Sequence, residues 1–244
     1  MDRVFVGYDH RQPVTFSVLN LSLMAQAKKR PISVTPLILD SLPITRQGLT
    51  PFTFSRFLVP WLCDYEGWAL FMDADMILNA DISELFDLAD DDYAVMTIDT
   101  PHGFERASLM LFNCAHPDNK KLTPVFVENC DIPLHQVKWT KNRGTIPSEW
   151  NHLVLYDDPN PDAKLIHFTA GSPCFPETEM VEHAELWRHW FNQTMSIIPW
   201  DALMGRSVHK RRVFAHHDYL ENGEDGETFN QFFDRIMAEK GNAA

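Results

Sequence analysis

The chain of 244 residues is 45% hydrophobic and 12% aromatic, and its formal net charge is −13. This size and composition predict one globular domain with a substantial core and exclude a disordered chain. The negative charge disfavours broad contact with nucleic acid or an anionic membrane, because both attract surfaces rich in Lys and Arg. A phosphate-bearing ligand would therefore need local positive charge, which a bound divalent cation can supply.

Cysteine spacing and the N-terminal sequence indicate the compartment. The four cysteines are widely separated and form no Cys-x-x-Cys pair, which favours free thiols in a reducing compartment over a zinc or redox motif. The apolar stretch at residues 3–7 is too short for a signal-peptide core, and no apolar run reaches membrane-spanning length. We therefore expect a soluble, cytoplasmic protein.

The first residues predict a strand, a polar turn and a helix. The strand covers residues 4–7 and ends in Tyr8-Asp9-His10-Arg11, and Pro13 can open a helix with apolar residues at helical spacing. The turn lacks the G-x-G-x-x-G fingerprint, so it does not indicate a dinucleotide, and a plain turn with a helix-capping acid is a structural alternative. Residues 32–39 predict a second strand, and Pro36 favours an edge position for it.

The apolar run at residues 68–78 is interrupted by Asp73 and Asp75. It predicts a buried strand whose carboxyl end lies at the two acids. Ligands of open α/β sheets collect at such strand ends, and two carboxylates suit Mg²⁺ or Mn²⁺. The simplest interpretation is a divalent-metal site, although acids also follow strands as turn residues or helix caps.

A helix predicted from Thr53 carries a single cation, Arg56, among apolar neighbours and leads directly into that strand. Such an arginine either extends along the surface toward water or pairs with a buried acid. We favour the second interpretation because the next element contains the aspartates.

The middle of the chain alternates short strands with helical segments. Residues 81–87 predict a helix with Asp81 as its cap, and the acids at 90–92 predict an exposed turn. Strands are predicted at 93–98 and 107–113. A helix is predicted at 119–127. The irregular segment at 129–150 contains Lys138, Lys141 and Arg143, and it could cover a bound substrate.

A late strand from residue 164 places His167 among apolar neighbours, where a core role and a ligand role both fit. Helices are predicted at 179–190 and 227–239, and the basic stretch at 209–212 predicts a solvated patch. Strands alternating with helices predict an α/β protein with a mainly parallel sheet and helices on both faces.

In order and spacing, four of these segments resemble nucleotide-sugar glycosyltransferases of the GT-A fold, in particular glycosyltransferase family 8, which includes glycogenin and lipopolysaccharide galactosyltransferases. Residues 4–10 look like the first strand and uridine-contacting turn of that family. Thr53-Phe-Ser-Arg56 looks like its helix before the metal strand. Residues 70–75 look like its Asp-x-Asp strand, and 166–171 like its late His-Phe motif.

The resemblance implies a GT-A-like single domain with a Rossmann-like nucleotide-binding half at residues 1–115 and an acceptor-side half with C-terminal helices at 116–244. It implies that a sugar moves from a UDP-hexose donor to a hydroxyl of a glycan, lipid-linked or protein acceptor. Mn²⁺ or Mg²⁺ would be the cofactor, and retention of configuration the expected course.

The resemblance also implies the site residues. The metal ligands would be Asp73, Asp75 and His167. The catalytic group would comprise Asp73, Arg56 and Gln136. The donor would contact Val6, Tyr8, Asp9, His10, Arg56, Asp73, Gly171 and Ser172.

The sequence departs from the family pattern at two points. The late motif usually continues to a Lys that contacts the diphosphate, whereas here Gly171-Ser172-Pro173-Cys174 follows. Ser172, backbone amides or a basic residue at 138–143 must then bind the diphosphate. The family's acid-Gln-acid motif is also missing, and Gln136 is the nearest candidate. Gln136 at the anomeric carbon would favour retention, whereas Asp131 or Glu149 as a general base would favour inversion.

Three alternatives are weaker. A haloacid-dehalogenase-like phosphatase needs its Asp-x-Asp near the N-terminus and a Thr where this chain has Ile77. A sugar-nucleotide pyrophosphorylase needs a Gly-rich basic loop at residues 8–11. A non-catalytic protein of the same shape that binds nucleotide or glycan stays open because of the missing Lys. The donor sugar, acceptor and oligomeric state do not follow from the sequence.

Overall fold

The computed structural model describes residues 1–195 and 210–241. In chain order, its strands are β1 Asp2–Gly7, β2 Ile32–Leu37, β3 Trp68–Met72, β4 Met76–Leu78, β5 Val95–Ile98, β6 Leu109–Asn113, β7 Arg143–Ile146, β8 His152–Leu153 and β9 Leu165–His167. Its α-helices are α1 Pro13–Gln26, α2 Phe52–Ser55, α3 Val59–Leu62, α4 Ser83–Phe86, α5 Pro124–Asn129, α6 Ala184–Thr194, α7 Lys210–Asn222 and α8 Phe229–Gly241. The chain divides into two compact units, Met1–Met195 and Ser196–Ala244.

The main sheet of the first unit has six strands in the order β2-β1-β3-β6-β5-β7. β1 pairs in parallel with β2 and β3, and β5 pairs in parallel with β7. β6 runs antiparallel to both of its neighbours, β3 and β5. The predicted mainly parallel sheet is therefore confirmed, and β2, which contains Pro36, lies at the predicted edge.

Successive side chains of β1 point to opposite faces of the sheet, and each face packs against helices. Phe5 belongs to the cluster that contains Val59 of α3. Val4 and Val6 belong to the opposite cluster with Leu19 of α1. Burying each of these side chains contributes about 1.5–3 kcal/mol, so both helix layers stabilise the sheet. The predicted helices on both faces are confirmed.

A smaller sheet brings the end of β3 next to the late strand. Its order is β4-β9-β8, with β4 antiparallel to β9 and β8 parallel to β9. The register pairs Met76 with His167. Because β4 begins directly after Asp75, this pairing draws both aspartates to His167.

Three segments of the first unit differ from the predictions. The helix predicted at 179–190 begins only at Ala184, because residues 179–183 form turns in which His183 has a φ of 60°, and it extends to Thr194. The predicted helix at 119–127 is divided into a 3₁₀ turn, Pro117–Lys121, and α5, because Pro124 opens a new helix whose Thr123 cap accepts a hydrogen bond from the N–H of Phe126. The segment at 129–150, predicted to be irregular, contains the edge strand β7. Its Gly144 lies against the ring of Tyr93, which a side chain at that position would strike.

In the second unit, α7 and α8 pack through aromatic rings. The ring of Tyr219 lies 5.8 Å from that of Phe229 and 5.6 Å from that of Phe232. α8 confirms the helix predicted at 227–239, whereas α7 was not predicted. Of the basic stretch at 209–212, His209 lies outside the described residues, and Arg212 is exposed but packs its guanidinium 5.2 Å from the Phe229 ring centroid. No helix in the described part of the chain combines the length and apolar character needed to span a bilayer.

Candidate active site

Asp73 and Asp75 lie in the turn that joins β3 to β4, at the carboxyl end of β3. The N–H of Asp73 donates to the carbonyl of Ser108 at 3.0 Å, and the N–H of Phe168 donates to the carbonyl of Asp75 at 2.9 Å. These bonds fix the turn against the start of β6 and the end of β9. The Asp73 side chain is 15% exposed and that of Asp75 33%, so Asp75 is the more accessible acid.

Arg56 is buried beside Asp73, in the 3₁₀ turn Arg56–Leu58 between α2 and α3. Its Nη1 lies 3.1 Å from Asp73 Oδ1 and donates to the carbonyl of Ala107 at 2.7 Å. Its Nε donates to the carbonyl of Phe52 at 3.2 Å, and the Phe71 ring centroid lies 4.8 Å from its guanidinium. The prediction that Arg56 pairs with a buried acid is confirmed.

His167 joins the two aspartates from β9. Its Nε2 lies 3.2 Å from Asp75 Oδ1, and its Nδ1 lies 3.0 Å from Asn151 Oδ1 and 3.6 Å from Glu105 Oε2. Asn151 Nδ2 in turn donates to the hydroxyl of Ser108 at 2.9 Å. Such a second hydrogen-bond partner fixes the orientation of an imidazole that acts as a ligand. The structure therefore brings together the three residues predicted to bind metal.

Glu105 is a member of this group that the sequence did not indicate. It lies in the 3₁₀ turn Gly103–Ala107 and accepts a hydrogen bond from the Thr169 hydroxyl at 2.6 Å. One ligand atom each of Asp73, Glu105 and His167 lie within 4.8 Å of one another. Neither a motif nor a periodic pattern marks Glu105. The one sequence feature that could have indicated a functional role for it is its place as an acid in a loop between two buried strands.

Burial and neighbouring charges change the pKa values of Asp73 and His167. Burial raises the pKa of Asp73 to about 7, an effect that Arg56 opposes and Asp75 reinforces. Burial alone would lower the pKa of His167, but Asp75 and Glu105 raise it to about 9. Burial therefore favours the protonated form of Asp73, and the neighbouring acids favour the protonated form of His167.

These residues fit a divalent cation. Asp73 Oδ1 is buried and makes no hydrogen bond within the described chain, although Arg56 Nη1 lies 3.1 Å from it. Carboxylate oxygens with one imidazole nitrogen form a donor set that suits Mn²⁺ and tolerates Mg²⁺. A cation would be coordinated by this oxygen and would add positive charge to the group.

A cleft of about 440 Å³ opens beside Asp75, and Gln12, Thr169, Gly171 and Ser172 line its walls. Gly171 has a φ of 128°, which residues with a side chain rarely adopt. The Ser172 side chain is buried, and its hydroxyl lies 3.1 Å from Cys174 Sγ. Gly171 and Ser172, both predicted to contact the donor, thus share one cleft with Asp75, and Gln12 is an unpredicted addition.

The turn after β1 lies at the same sheet edge, because Val6 pairs with Met72 next to Asp73. Val6 is fully buried, so only its backbone can reach a ligand. Asp9 is held by Arg11, whose Nη2 donates to its carboxylate at 2.6 Å.

The two other predicted donor contacts of this turn are Tyr8 and His10. The Tyr8 ring packs edge-on against Phe16 with 5.6 Å between the ring centroids. His10 is exposed. Both residues follow β1 directly, so they lie at the carboxyl end of the sheet.

Gln136 is an exposed residue of the 3₁₀ turn Leu134–Gln136, which packs against the turn Gly103–Ala107 that contains Glu105. None of the hydrogen bonds in the described ranges connects the Gln136 side chain to Asp73 or His167. The ring of its neighbour His135 packs against that of Phe57 at 5.1 Å, and burial together with Arg56 lowers the pKa of His135 to about 4.

The basic residues predicted to bind a diphosphate differ in their surroundings. Lys138 and Lys141 are exposed, whereas Arg143 Nη2 lies 3.5 Å from Asp99 Oδ1. Arg106, which sequence analysis did not select, lies 3.7 Å from the same oxygen through Nη2. Its Nε is buried and has no hydrogen-bond partner in the described part of the chain.

Comparison with known proteins places this geometry in context. No family model matches the sequence. The chain is 36% identical over 220 residues to Protein CDI of Arabidopsis thaliana, an alignment that covers 76% of this chain and 84% of that protein.

Several glycosyltransferase structures are similar to the chain. The apo structure of the bifunctional glycosyltransferase WbbM aligns with a TM-score of 0.60 and 15% identity, over 84% of this chain and 51% of WbbM. An active-site mutant of LgtC aligns with a TM-score of 0.57 and 12% identity, over 78% of this chain and 95% of LgtC. GlyE of Streptococcus pneumoniae aligns with a TM-score of 0.57 and 16% identity, over 86% of this chain and 63% of GlyE.

These alignments confirm the predicted GT-A-like α/β fold. The chain spans about half of WbbM and 63% of GlyE, so it corresponds to only a part of those two proteins.

Proposed function

Because this chain belongs to the family of Protein CDI and has the GT-A fold, we propose that it is a metal-dependent glycosyltransferase that uses a nucleotide-sugar donor. The observation that carries this proposal is the group of Asp73, Asp75, Glu105 and His167 at the carboxyl end of β3, with Arg56 buried beside Asp73. Open α/β sheets bind their ligands at this edge.

The cation would be Mn²⁺ or Mg²⁺, held by Asp73, Asp75 and His167, with Glu105 as a further oxygen donor. When bound, it supplies positive charge that stabilises a diphosphate leaving group more strongly in the transition state than in the ground state. This assignment is supported by the ligand atoms of Asp73, Glu105 and His167, which lie within 4.8 Å of one another, and by Asp75 Oδ1, which lies 3.2 Å from His167 Nε2. Asp73 Oδ1 also lacks a hydrogen bond within the described chain.

Arg56 and Asn151 would fix the orientation of Asp73 and His167. Arg56 is held by two backbone carbonyls and stabilises the ionised form of Asp73, which leaves that carboxylate able to accept a hydrogen bond from a sugar hydroxyl. Asn151 fixes the His167 ring from the side opposite Asp75. Preorganised groups of this kind lose little entropy when substrate binds.

The nucleotide would occupy the cleft beside Asp75. Its volume of about 440 Å³ lies within the range of small-ligand pockets. The turn at Tyr8, Asp9 and His10 would contact the base, and the backbone at Gly171 and Ser172 would contact the phosphates. UDP is our proposed nucleotide, on the resemblance of residues 4–10 to a uridine-contacting turn.

A basic residue is still needed for the diphosphate, since no Lys follows Gly171. We assign this role to Arg106, because it directly follows Glu105 and its Nε lacks a partner within residues 1–195 and 210–241. Arg143 is the competing candidate, because it approaches the same carboxylate of Asp99.

We propose a hexose donor and retention of configuration on the family resemblance alone. Gln136 at the anomeric carbon would give retention, whereas Asp131 or Glu149 as a general base would give inversion. The anomeric configuration of the product, determined by NMR, separates the two courses.

The acceptor would be a hydroxyl of a glycan, a lipid-linked sugar or a protein. In this proposal residues 1–115 bind the donor together with His167, Gly171 and Ser172, and the rest of residues 116–244 forms the acceptor side of one catalytic chain. We expect this chain to act in the cytoplasm.

Calorimetric titration of the full-length protein tests the binding part of the proposal. UDP should bind in the presence of Mn²⁺, more weakly without it, and more tightly than GDP or ADP. Asp75→Asn should abolish the metal dependence. Asp92→Asn is the matched control, because Asp92 lies in the exposed turn at 90–92. Equal affinities for UDP with and without Mn²⁺ would contradict the proposal.

The alternative is a protein that binds the nucleotide or a glycan without turnover. It is favoured by the missing Lys and by the lack of a hydrogen bond between Gln136 and the acids in the described ranges. Metal-dependent UDP binding without any consumption of UDP-sugars would support this alternative.

A further inference from the structure

A second group of potential ligand residues lies outside the candidate active site. It consists of His152 in β8 and of Glu182 and His183 immediately before α6. One ligand atom from each of them lies within 4.8 Å of the others. We call these three residues the His-Glu-His cluster.

The contacts within the His-Glu-His cluster converge on one carboxylate. His152 Nε2 lies 2.9 Å from Glu182 Oε2, and His183 Nε2 lies 3.2 Å from Glu182 Oε1. The two imidazole ring centroids are 5.6 Å apart. Ligand atoms at about 2.0–2.2 Å from a tetrahedral zinc ion are separated from one another by roughly 3.3 Å. Small shifts of the three side chains would therefore bring their ligand atoms to coordinating distance from such an ion.

The cluster is largely shielded from solvent. The His152 side chain is 3% exposed, that of His183 12% and that of Glu182 26%. Two imidazoles that share one carboxylate offer three ligand atoms to a cation. Neutral imidazole and carboxylate are ligands that Zn²⁺ prefers, and removal from bulk water strengthens such an interaction.

Neighbouring groups orient the ligands. Asp157 Oδ2 accepts a hydrogen bond from the N–H of Leu153 at 2.8 Å and lies 4.0 Å from His152 Nδ1. A carboxylate beside the second nitrogen of a ligating histidine is typical of zinc sites. Asn160 donates its N–H to Glu182 Oε1 at 2.8 Å, which holds the carboxylate between the two rings.

From this convergence we propose that His152, Glu182 and His183 bind a zinc ion whose fourth ligand is water. The ion would join β8 to the start of α6. β8 begins directly after Asn151, whose side chain contacts His167, so the site would also hold one wall of the candidate active site. This site would exist whether or not the protein transfers sugars.

One hydrogen bond must break when the ion binds. His183 Nε2 donates to the carbonyl of Asn160 at 3.0 Å, and coordination through this nitrogen would free that carbonyl for water. Without zinc, the same contacts form an ordinary network of hydrogen bonds and an ion pair. The experiment must therefore measure zinc itself and not stability alone.

His183→Asn is the sharpest variant. His183 has a φ of 60°, a left-handed conformation that Asn tolerates better than most residues. The variant keeps the backbone geometry but removes the imidazole ligand together with its hydrogen bond to Asn160. His189→Ala is the matched control, because His189 is an exposed histidine of α6 outside the cluster.

The acids near Asp75 could also bind zinc, so the titration uses full-length Asp75→Asn protein as the background. Metal-free protein competes for Zn²⁺ with a chromogenic chelator, and circular dichroism verifies the fold of each variant. We expect tight zinc binding in Asp75→Asn, unchanged binding with His189→Ala added, and an affinity at least about 100-fold lower with His183→Asn added.

A spectroscopic measurement distinguishes coordination from loose association. Co²⁺ bound in the Asp75→Asn background should give the intense visible absorption of a four-coordinate ion, and the His183→Asn addition should abolish it. Equal zinc affinity in the His183→Asn and His189→Ala proteins, or Co²⁺ spectra that do not change between them, would overturn the proposal.

Discussion

Replacing Arg56 tests whether the buried ion pair organises the candidate active site. Arg56→Met removes the cation 3.1 Å from Asp73 and the donors to the carbonyls of Phe52 and Ala107. Removing one partner of a buried ion pair costs about 3–5 kcal/mol, because the remaining charge is left uncompensated. Asp73 can relieve part of this cost by binding a proton, since its pKa is already about 7.

The chain offers a matched control in Arg46. Its Nη1 donates to the carbonyls of Val127 and Cys130, both at 2.9 Å, and its guanidinium lies 3.9 Å from the Phe54 ring centroid. Arg46→Met therefore loses similar hydrogen bonds and a similar ring contact, but it leaves no buried carboxylate without its paired cation. We expect a cost of about 1–3 kcal/mol for this control.

Thermal and urea unfolding at two pH values test whether the loss of stability comes from the buried ion pair. At pH 8, we expect Arg56→Met to lower the free energy of unfolding by about 4 kcal/mol, which corresponds to roughly 8–16 °C in the midpoint. At pH 6, the loss should be smaller, because Asp73 is then protonated, whereas the loss for Arg46→Met should not change. Equal losses for both variants at both pH values would refute the buried-pair interpretation.

Three further predictions concern protons, phosphate and backbone. In EDTA, the free energy of unfolding should fall by about 3 kcal/mol between pH 6.5 and 9, because His167 has a pKa of about 9 in the folded protein and loses its proton over this range. Added Mn²⁺ should restore the stability at high pH. Arg106→Gln should weaken UDP binding in calorimetry by about tenfold or more, and a larger effect of Arg143→Gln would transfer the phosphate role to Arg143. Gly171→Ala should lower the free energy of unfolding by about 1–3 kcal/mol, because Gly171 has a φ of 128°. Gly103→Ala is its control, since an added Cβ at Gly103 meets nothing within 4 Å. Equal thermal midpoints for the two variants would contradict this prediction.

The parts of the site that sequence analysis predicted are those marked by local patterns. Asp73 and Asp75 interrupt a long apolar run, and Arg56 is the single cation of an apolar helical segment, so both features stand out in the sequence. The pairing of Arg56 with Asp73 followed from their succession along the chain. His167 was implied by resemblance, since a buried histidine alone fits a core role equally well.

The residues that were missed depend on long-range packing. Glu105 reaches His167 because the loop between β5 and β6 folds over the end of β3, and Asn151 reaches it through the register of β8 and β9. Loop conformation and strand register arise from the whole fold, and no spacing in the sequence encodes them. Gln136 stays a prediction, because its turn packs against the turn that contains Glu105 but no sequence pattern encodes which way its side chain faces.

Strand and helix predictions failed where side chains gave little signal. β7 contains Ile146 as its one large apolar residue, and Gly144 is buried there because Tyr93 covers it. α7 is largely polar, and the contacts of Tyr219 with rings of α8 hold it in place. Neither element has the periodic apolar pattern by which strands and helices are recognised.

Turnover of nucleotide sugars by the full-length protein tests the central claim most directly. The protein is incubated with Mn²⁺ and a panel of UDP-, GDP- and ADP-sugars, and nucleotide release is measured beside that of Asp75→Asn and Asp92→Asn. Our proposal predicts UDP release from at least one UDP-sugar, dependent on Mn²⁺, lost in Asp75→Asn and retained in Asp92→Asn. No release of any nucleotide, or equal release by the wild type and Asp75→Asn, would contradict it.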